Sequence, residues 1–98
     1  MAQAETVTRE KIRIKKPSLF KVVLNNDNKT PMDFVVEVLM VIFHHDRATV
    51  EHITLDIHNK GKGTAGVYSF EIAEQKTAET TAVARQHGFP LTVNVEPE

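Results

Sequence analysis

A small α+β layer fold, with helices packed on a mainly antiparallel sheet, is what this 98-residue sequence predicts. Three observations carry it. Strand-length apolar runs and segments of helical period follow one another in the order β-α-α-β-α-β. All but one of the breaks between them fall on Asn, Asp, Gly or Pro. The length suits one domain with one modest core, residues 17–98, behind an N-terminal arm, residues 1–16.

Met1 to Lys16 holds no sustained apolar period and reads as a mobile arm. Ile12 and Ile14 alternate with Arg13 and Lys15, so part of it could add a strand on contact. Arg9, Lys11, Arg13, Lys15, Lys16 and Lys21 make up half of the 12 basic residues. No aromatic is interleaved with them, which removes base stacking; a solvated arm is the plainer reading. Pro17 marks the border.

Leu19 to Leu24 is a strand, rich in branched and aromatic residues. It stops on Asn25, Asn26, Asp27 and Asn28, side chains that favour tight turns. Thr30 is placed as the cap of a helix, Pro31 at its first position and Asp33 at its third. That helix should run from Pro31 to about His44. Phe34, Val35, Val38, Leu39, Ile42 and Phe43 fill one side, with Val36, Met40 and Val41 besides. It either packs on two sides or leaves one open to a partner.

Asp46 caps a second helix, Arg47 to about Asn59, with Val50, Ile53 and Ile57 at helical spacing. Gly61 and Gly63 end it, and Lys60 suits its dipole. Ala65 to Phe70 is the second strand, with Val67 and Tyr68 its best residues. Glu71 to Gln86 is the third helix, turning Ile72, Ala73 and Val83 to the core and ending at His87 and Gly88. Leu91, Val93 and Val95 alternate as the last strand. Glu96-Pro97-Glu98 should fray.

Composition narrows the function. Net charge is −1, so the domain as a whole has no polyelectrolyte partner written into it. Without cysteine there are no disulfides, thiolate metal sites or cysteine nucleophiles. Met1 to Thr8 lacks the apolar core of a signal peptide, and no apolar run approaches the ~20 residues of a membrane helix. The chain reads as soluble and intracellular. No two of the five histidines, His44, His45, His52, His58 and His87, are four apart, and there is no metalloprotease motif. Ser18 and Ser69 sit in no nucleophile elbow, and Gly61-Lys62-Gly63 lacks the spacing of a phosphate loop. Asp27 and Asp33 could pair as acid and base, but nothing builds a deep pocket around both. The residues point to a protein that is not an enzyme and takes no cofactor.

The run Phe20-Lys21-Val22-Val23-Leu24-Asn25-Asn26-Asp27-Asn28, with Thr30-Pro31-Met32-Asp33-Phe34-Val35-Val36-Glu37-Val38-Leu39, resembles the signature of the ClpS family. Asp56-Ile57-His58 with Gly61-Lys62-Gly63, Gly66-Val67-Tyr68, Glu71-Ile72-Ala73-Glu74-Gln75-Lys76 and Gly88-Phe89-Pro90-Leu91 resemble its later blocks, in order. The resemblance covers about Pro17 to Val95. It implies the same β-α-α-β-α-β fold and a monomeric, cytoplasmic adaptor (bacterial or of the plastid stroma). Such an adaptor binds N-degrons, substrate N-termini beginning with Leu, Phe, Tyr or Trp. It delivers them to a ClpA- or ClpC-type AAA+ unfoldase and its ClpP peptidase.

The resemblance also implies roles for residues. Asn26 and His58 would accept from the substrate's α-ammonium, with Asp27 and Asn28 assisting and His58 unprotonated on its accepting nitrogen. Met32, Val35, Thr54, Ile57 and Leu91 would wall an apolar slot for the first side chain, with Thr30 and Pro31 close by. Glu71 and Lys76 resemble a surface that docks on the unfoldase's N-terminal domain, and would otherwise be solvated helix charges. The arm would be presented to the unfoldase during delivery. Three positions depart from the family's pattern. Asn28 stands where a second Asp is frequent, which weakens amine capture or shifts weight to Asp27. Lys29 replaces an aromatic. Thr54 replaces a gating Met, which should relax selectivity toward Trp or branched residues. The competing reading keeps the fold as a protein-interaction domain without N-degron binding, like the similar C-terminal domain of the ribosomal stalk protein. That job would not need Asn26, Asp27 and His58 together.

Overall fold

The computed structural model describes residues 18–98. The arm, residues 1–16, and Pro17 lie outside the described residues. The elements are β1 (Phe20–Asn25), α1 (Met32–Val41), α2 (Arg47–Lys60), β2 (Lys62–Tyr68), α3 (Phe70–Gln86) and β3 (Thr92–Pro97). They form a three-stranded sheet in the order β2-β1-β3, antiparallel at both seams. β1 is central, and Val22, Val23 and Leu24 are all buried. Val22 and Leu24 belong to the core cluster, while Val23 lies on the other face, buried beside Lys21, Lys62, Thr64 and Glu96. Val22 and Leu24 join Val35, Val38, Leu39 and Ile42 of α1 and Val50, Ile53 and Ile57 of α2 in one core.

Several element ends differ from expectation, each for a local reason. Pro31 is the cap of α1 and not its first residue; its carbonyl accepts from Phe34 and Val35 at 3.1 and 3.3 Å. Thr30 does not cap, because its hydroxyl donates to Asp27 instead. At its other end α1 stops at Val41, three residues early. The last turn widens there: the Phe43 N–H bonds the Val38 carbonyl and the His45 N–H that of Leu39. His44 then turns left-handed at φ 59°, and the His45 ring bonds the Ala65 carbonyl.

Asp46 caps α2 as expected, accepting from the Thr49 N–H at 2.9 Å. Gly61 ends α2 at φ 85°, a left-handed position that suits a residue without Cβ. Gly63 has a different task, lying already within β2. A Cβ there would sit 2.8 Å from the Ile57 side chain and 3.0 Å from the Ile53 carbonyl, so its absence lets α2 lie close on the sheet. β2 thus starts three residues earlier than expected, and Phe70 belongs to α3.

α3 buries Ala73, Thr80 and Ala84, with Val83 half-buried, but Ile72 is 41% exposed. The helix is rotated by about one residue from the phase its apolar residues suggest. α3 closes with a Schellman pair: Phe89 N–H to Ala84 carbonyl at 2.9 Å and Gly88 N–H to Arg85 carbonyl at 3.0 Å. The C-terminal tail does not fray. Glu96 and Pro97 pair with Lys21 and Phe20, and the Glu98 N–H reaches the Leu19 carbonyl at 3.1 Å. One side of α1 stays open: a groove of about 200 Å³ between α1 and α3 is lined by Phe34, Val38, Val41 and Val83, and Val41 is 64% exposed.

Candidate functional site

Three element boundaries meet where β1 ends. Asn25 pairs with Lys62, the first residue of β2, and with Thr92, the first of β3. Asn26 is therefore flanked by Gly61, which closes α2, and by Leu91, which precedes β3. The Asn26 N–H donates to the Gly61 carbonyl at 2.8 Å. That bond fixes the turn after β1 against the C-terminal end of α2, which carries Thr54, Ile57 and His58 on one face. Asn26 and His58 are exposed, and Asn26 has its backbone pinned.

Asp27 orders the loop. Its Oδ1 accepts from the Lys29 N–H at 2.8 Å and the Thr30 N–H at 2.7 Å, and its Oδ2 from the Thr30 hydroxyl at 2.8 Å. An Asx turn of this kind sets the chain at the entrance to α1. Partial burial pushes the Asp27 carboxyl upward. The bonds from Thr30 and Lys29, helped by the nearby Arg85 guanidinium, outweigh it and hold the group below the usual carboxylate value. A lowered folded-state value means the carboxylate stabilises the loop at neutral pH. That contribution is lost only as pH falls through the depressed value. Both oxygens are engaged, so Asp27 offers the site a negative charge more than a free acceptor. Asn28 and Lys29 are exposed.

Beside this loop lies an apolar wall. Val35, Ile57 and Leu91 are buried in one cluster, contributed by α1, α2 and the lead into β3. Met32, in the first turn of α1, is 37% exposed at its edge. Thr54 is half-buried, and its hydroxyl donates to the Glu51 carbonyl at 2.9 Å. A hydroxyl satisfied within its own helix brings no unpaired polar group to the wall.

Glu71 and Lys76 are elsewhere. Phe70, beside Glu71, packs edge-on to Phe20 with ring centroids 5.1 Å apart, at the opposite end of β1. Lys76 is not a solvated charge. Its ammonium donates to the Ile42 carbonyl at 2.6 Å and lies 5.9 Å from the centroids of both Phe43 and Tyr68. It satisfies a carbonyl at the end of α1, where a cation is favoured.

Arg85 escaped the sequence reading. It sits in the last turn of α3 and donates to the Phe89 and Leu91 carbonyls at 2.8 and 2.9 Å. The one available signal, a cation just ahead of Gly88, is common to helix ends. Among the described residues no group of three or more His, Asp or Glu side chains could hold a metal ion. No described helix is long and apolar enough to cross a membrane.

Known proteins resemble this chain. The family model of the ATP-dependent Clp protease adaptor protein ClpS matches residues 15–94. The ClpS adapter of Shewanella piezotolerans is 51% identical over 83 residues, covering 85% of this chain and 81% of its own. That of Acetivibrio thermocellus is 44% identical across 100% of both chains. That of Deinococcus radiodurans is 47% identical over 99% of this chain and 86% of its own. Among solved structures, Agrobacterium tumefaciens ClpS2 bound to L-phenylalaninamide superposes with a TM-score of 0.79 at 37% identity, covering 85% of this chain and 100% of that one. The loop after β1, the helix ends beside it and the lead into β3 all fall within the matched span, and this chain belongs to the ClpS family of ATP-dependent Clp protease adaptor proteins.

Proposed function

We propose that this protein is a non-catalytic, monomeric adaptor that binds N-degrons at the end of β1. It captures substrate N-termini that begin with Leu, Phe, Tyr or Trp. It then delivers them to a ClpA- or ClpC-type unfoldase and ClpP, with residues 1–16 presented to the unfoldase. The observation that supports the reading is the bond from the Asn26 N–H to the Gly61 carbonyl, which ties the exposed Asn26 to the end of α2, the helix that carries exposed His58 and buried Ile57. The ligand of the related Agrobacterium protein has a matching chemistry, a free α-amine next to a benzyl side chain.

The magnitudes agree. An α-ammonium is mostly charged at neutral pH and presents three donors. Each bond to it contributes about 1.5–3 kcal/mol, and burying a Phe or Leu side chain about 2–3 kcal/mol. A micromolar complex needs about 8 kcal/mol, so the side chain alone falls short and three amine bonds, about 4.5–9 kcal/mol together, reach it only near their upper limit. The test is binding of fluorescent peptides beginning Leu, Ile, Phe, Tyr, Trp and Ala, each with a free or acetylated N-terminus. Tight binding of the free bulky set, abolished by acetylation, is expected. Equal binding of free and acetylated forms would remove the amine site from the reading. No binding at all would leave an interaction domain of the same fold.

A further inference from the structure

The segment Phe89–Leu91 is the one stretch of the apolar wall that no regular element holds. Upstream, backbone bonding ends with the Schellman bond of the Phe89 N–H to Ala84. Downstream, the strand ladder begins at Thr92, opposite Asn25. Pro90 has no N–H to give. Yet Leu91 is only 2% exposed and must hold its place for the wall to keep a shape.

Arg85 bridges this gap. One nitrogen of its guanidinium, Nη1, donates to the Phe89 carbonyl at 2.8 Å and to the Leu91 carbonyl at 2.9 Å, on either side of Pro90. Two N–H groups on one planar nitrogen set a fixed angle between the carbonyls, which a flexible chain does not set for itself. The same cation acts on Asp27 through space. Its reach therefore extends from the side-chain wall to the loop that carries the amine site.

We propose that Arg85 is a positioning residue for the N-degron site: by bridging the Phe89 and Leu91 carbonyls it fixes Leu91 and thereby sets selectivity for the substrate's first side chain. The inference rests on the N-degron reading and adds a determinant that touches no ligand. It also separates two roles. Arg85 governs how well a bulky first residue is distinguished from a small one, while Asn26 and His58 govern the response to the amine.

The experiment measures affinities of free-amine and acetylated peptides beginning Phe, Leu and Ala for wild type, Arg85→Ala and Arg85→Lys, well below each melting temperature. Wild type should prefer Phe and Leu over Ala. Arg85→Ala should lower that preference about tenfold, while acetylation still abolishes what binding remains. Arg85→Lys, which keeps a charged donor able to reach the carbonyls, should recover part of it. A merely structural loss would lower the melting temperature and leave the preference of the folded protein intact. An unchanged Phe-to-Ala ratio in Arg85→Ala overturns the inference and spares the N-degron reading. Should Arg85→Ala fail to fold, Arg85→Gln is read against the same ratio, and again no change overturns the inference. Absence of any free-amine binding by wild type overturns both.

Discussion

The two ends of β1 are built by opposite means. At the Asn25 end the backbone is fixed by polar turns, and Asn26 and His58, the side chains of the candidate site, are exposed. The Asn26 N–H is bound to Gly61, Asp27 orders its own loop, and Asn26 and His58 face solvent. At the Phe20 end the charge is spent inside. Lys76 is tied to the Ile42 carbonyl and set against Phe43 and Tyr68, while Leu19, Val67, Phe70 and Ile72 are left exposed. One end separates stability from the proposed recognition. The other uses a charged side chain for stability and leaves an apolar surface outside.

The largest effect should come from breaking that separation at Asn26 and His58. Losing one bond to a charged amine removes about 1.5–3 kcal/mol, roughly 10- to 150-fold in affinity. Asn26→Ala and His58→Ala should each weaken free-amine peptides by that factor. Because both side chains are exposed, thermal unfolding should hardly move. A large fall in melting temperature with binding retained would mean these side chains serve the fold.

Next comes the opposite end. Lys76→Met keeps an apolar stem but removes the donor, leaving the Ile42 carbonyl without its partner and both rings without the cation. An unpaired carbonyl of this kind costs about 1–3 kcal/mol when dry, and half-burial puts the expectation near the lower limit. Denaturant unfolding should shift by about 1–2 kcal/mol, and peptide affinity should stay as in wild type. Unchanged stability would show Lys76 to be a surface charge after all.

The sequence was legible where one element decides its own conformation. The continuous run of β1, the Asp46 cap and the stop at Gly61 are local choices, and each is found where the residues put it. It was misleading where a side chain outside the element decides. Thr30 looks like a helix cap, yet the Asp27 carboxylate three residues back takes its hydroxyl. Gly63 looks like a helix stop, and its reason is the proximity of Ile53 and Ile57. Ile72 looks like core, but Ala73, Thr80 and Ala84 set the phase of α3, because small side chains let a helix lie close to the sheet. For the candidate site, Asn26 is set near Leu91 by the pairing of β1 with β3 and near the end of α2 by its bond to Gly61, which no spacing reveals; the residues were named by the resemblance to a family. Arg85 acts through main-chain carbonyls, and a residue type that serves many helix ends leaves no mark in one sequence.

The smallest effect concerns Thr54, where the comparison is sharpened within the site itself. Its hydroxyl is already bonded to Glu51, so Thr54 shows the wall a short, branched, satisfied side chain. Thr54→Met would add a longer flexible side chain at the same edge as Met32 and narrow the slot. Burial of one methylene is worth about 0.8 kcal/mol, so the ranking should move severalfold and not by orders of magnitude. Peptides beginning Trp and Ile should lose affinity relative to Phe and Leu. Loss of the Thr54 bond should cost little stability, because a threonine bonding back to its own helix gains little from it. The amine should be recognised as before, so acetylation abolishes binding in both proteins. If the order of Leu, Ile, Phe, Tyr and Trp is the same in Thr54→Met as in wild type, the slot is shaped by Val35, Ile57 and Leu91 alone. Thr54 is then a bystander on α2, and the selectivity of the site is set from its rigid side.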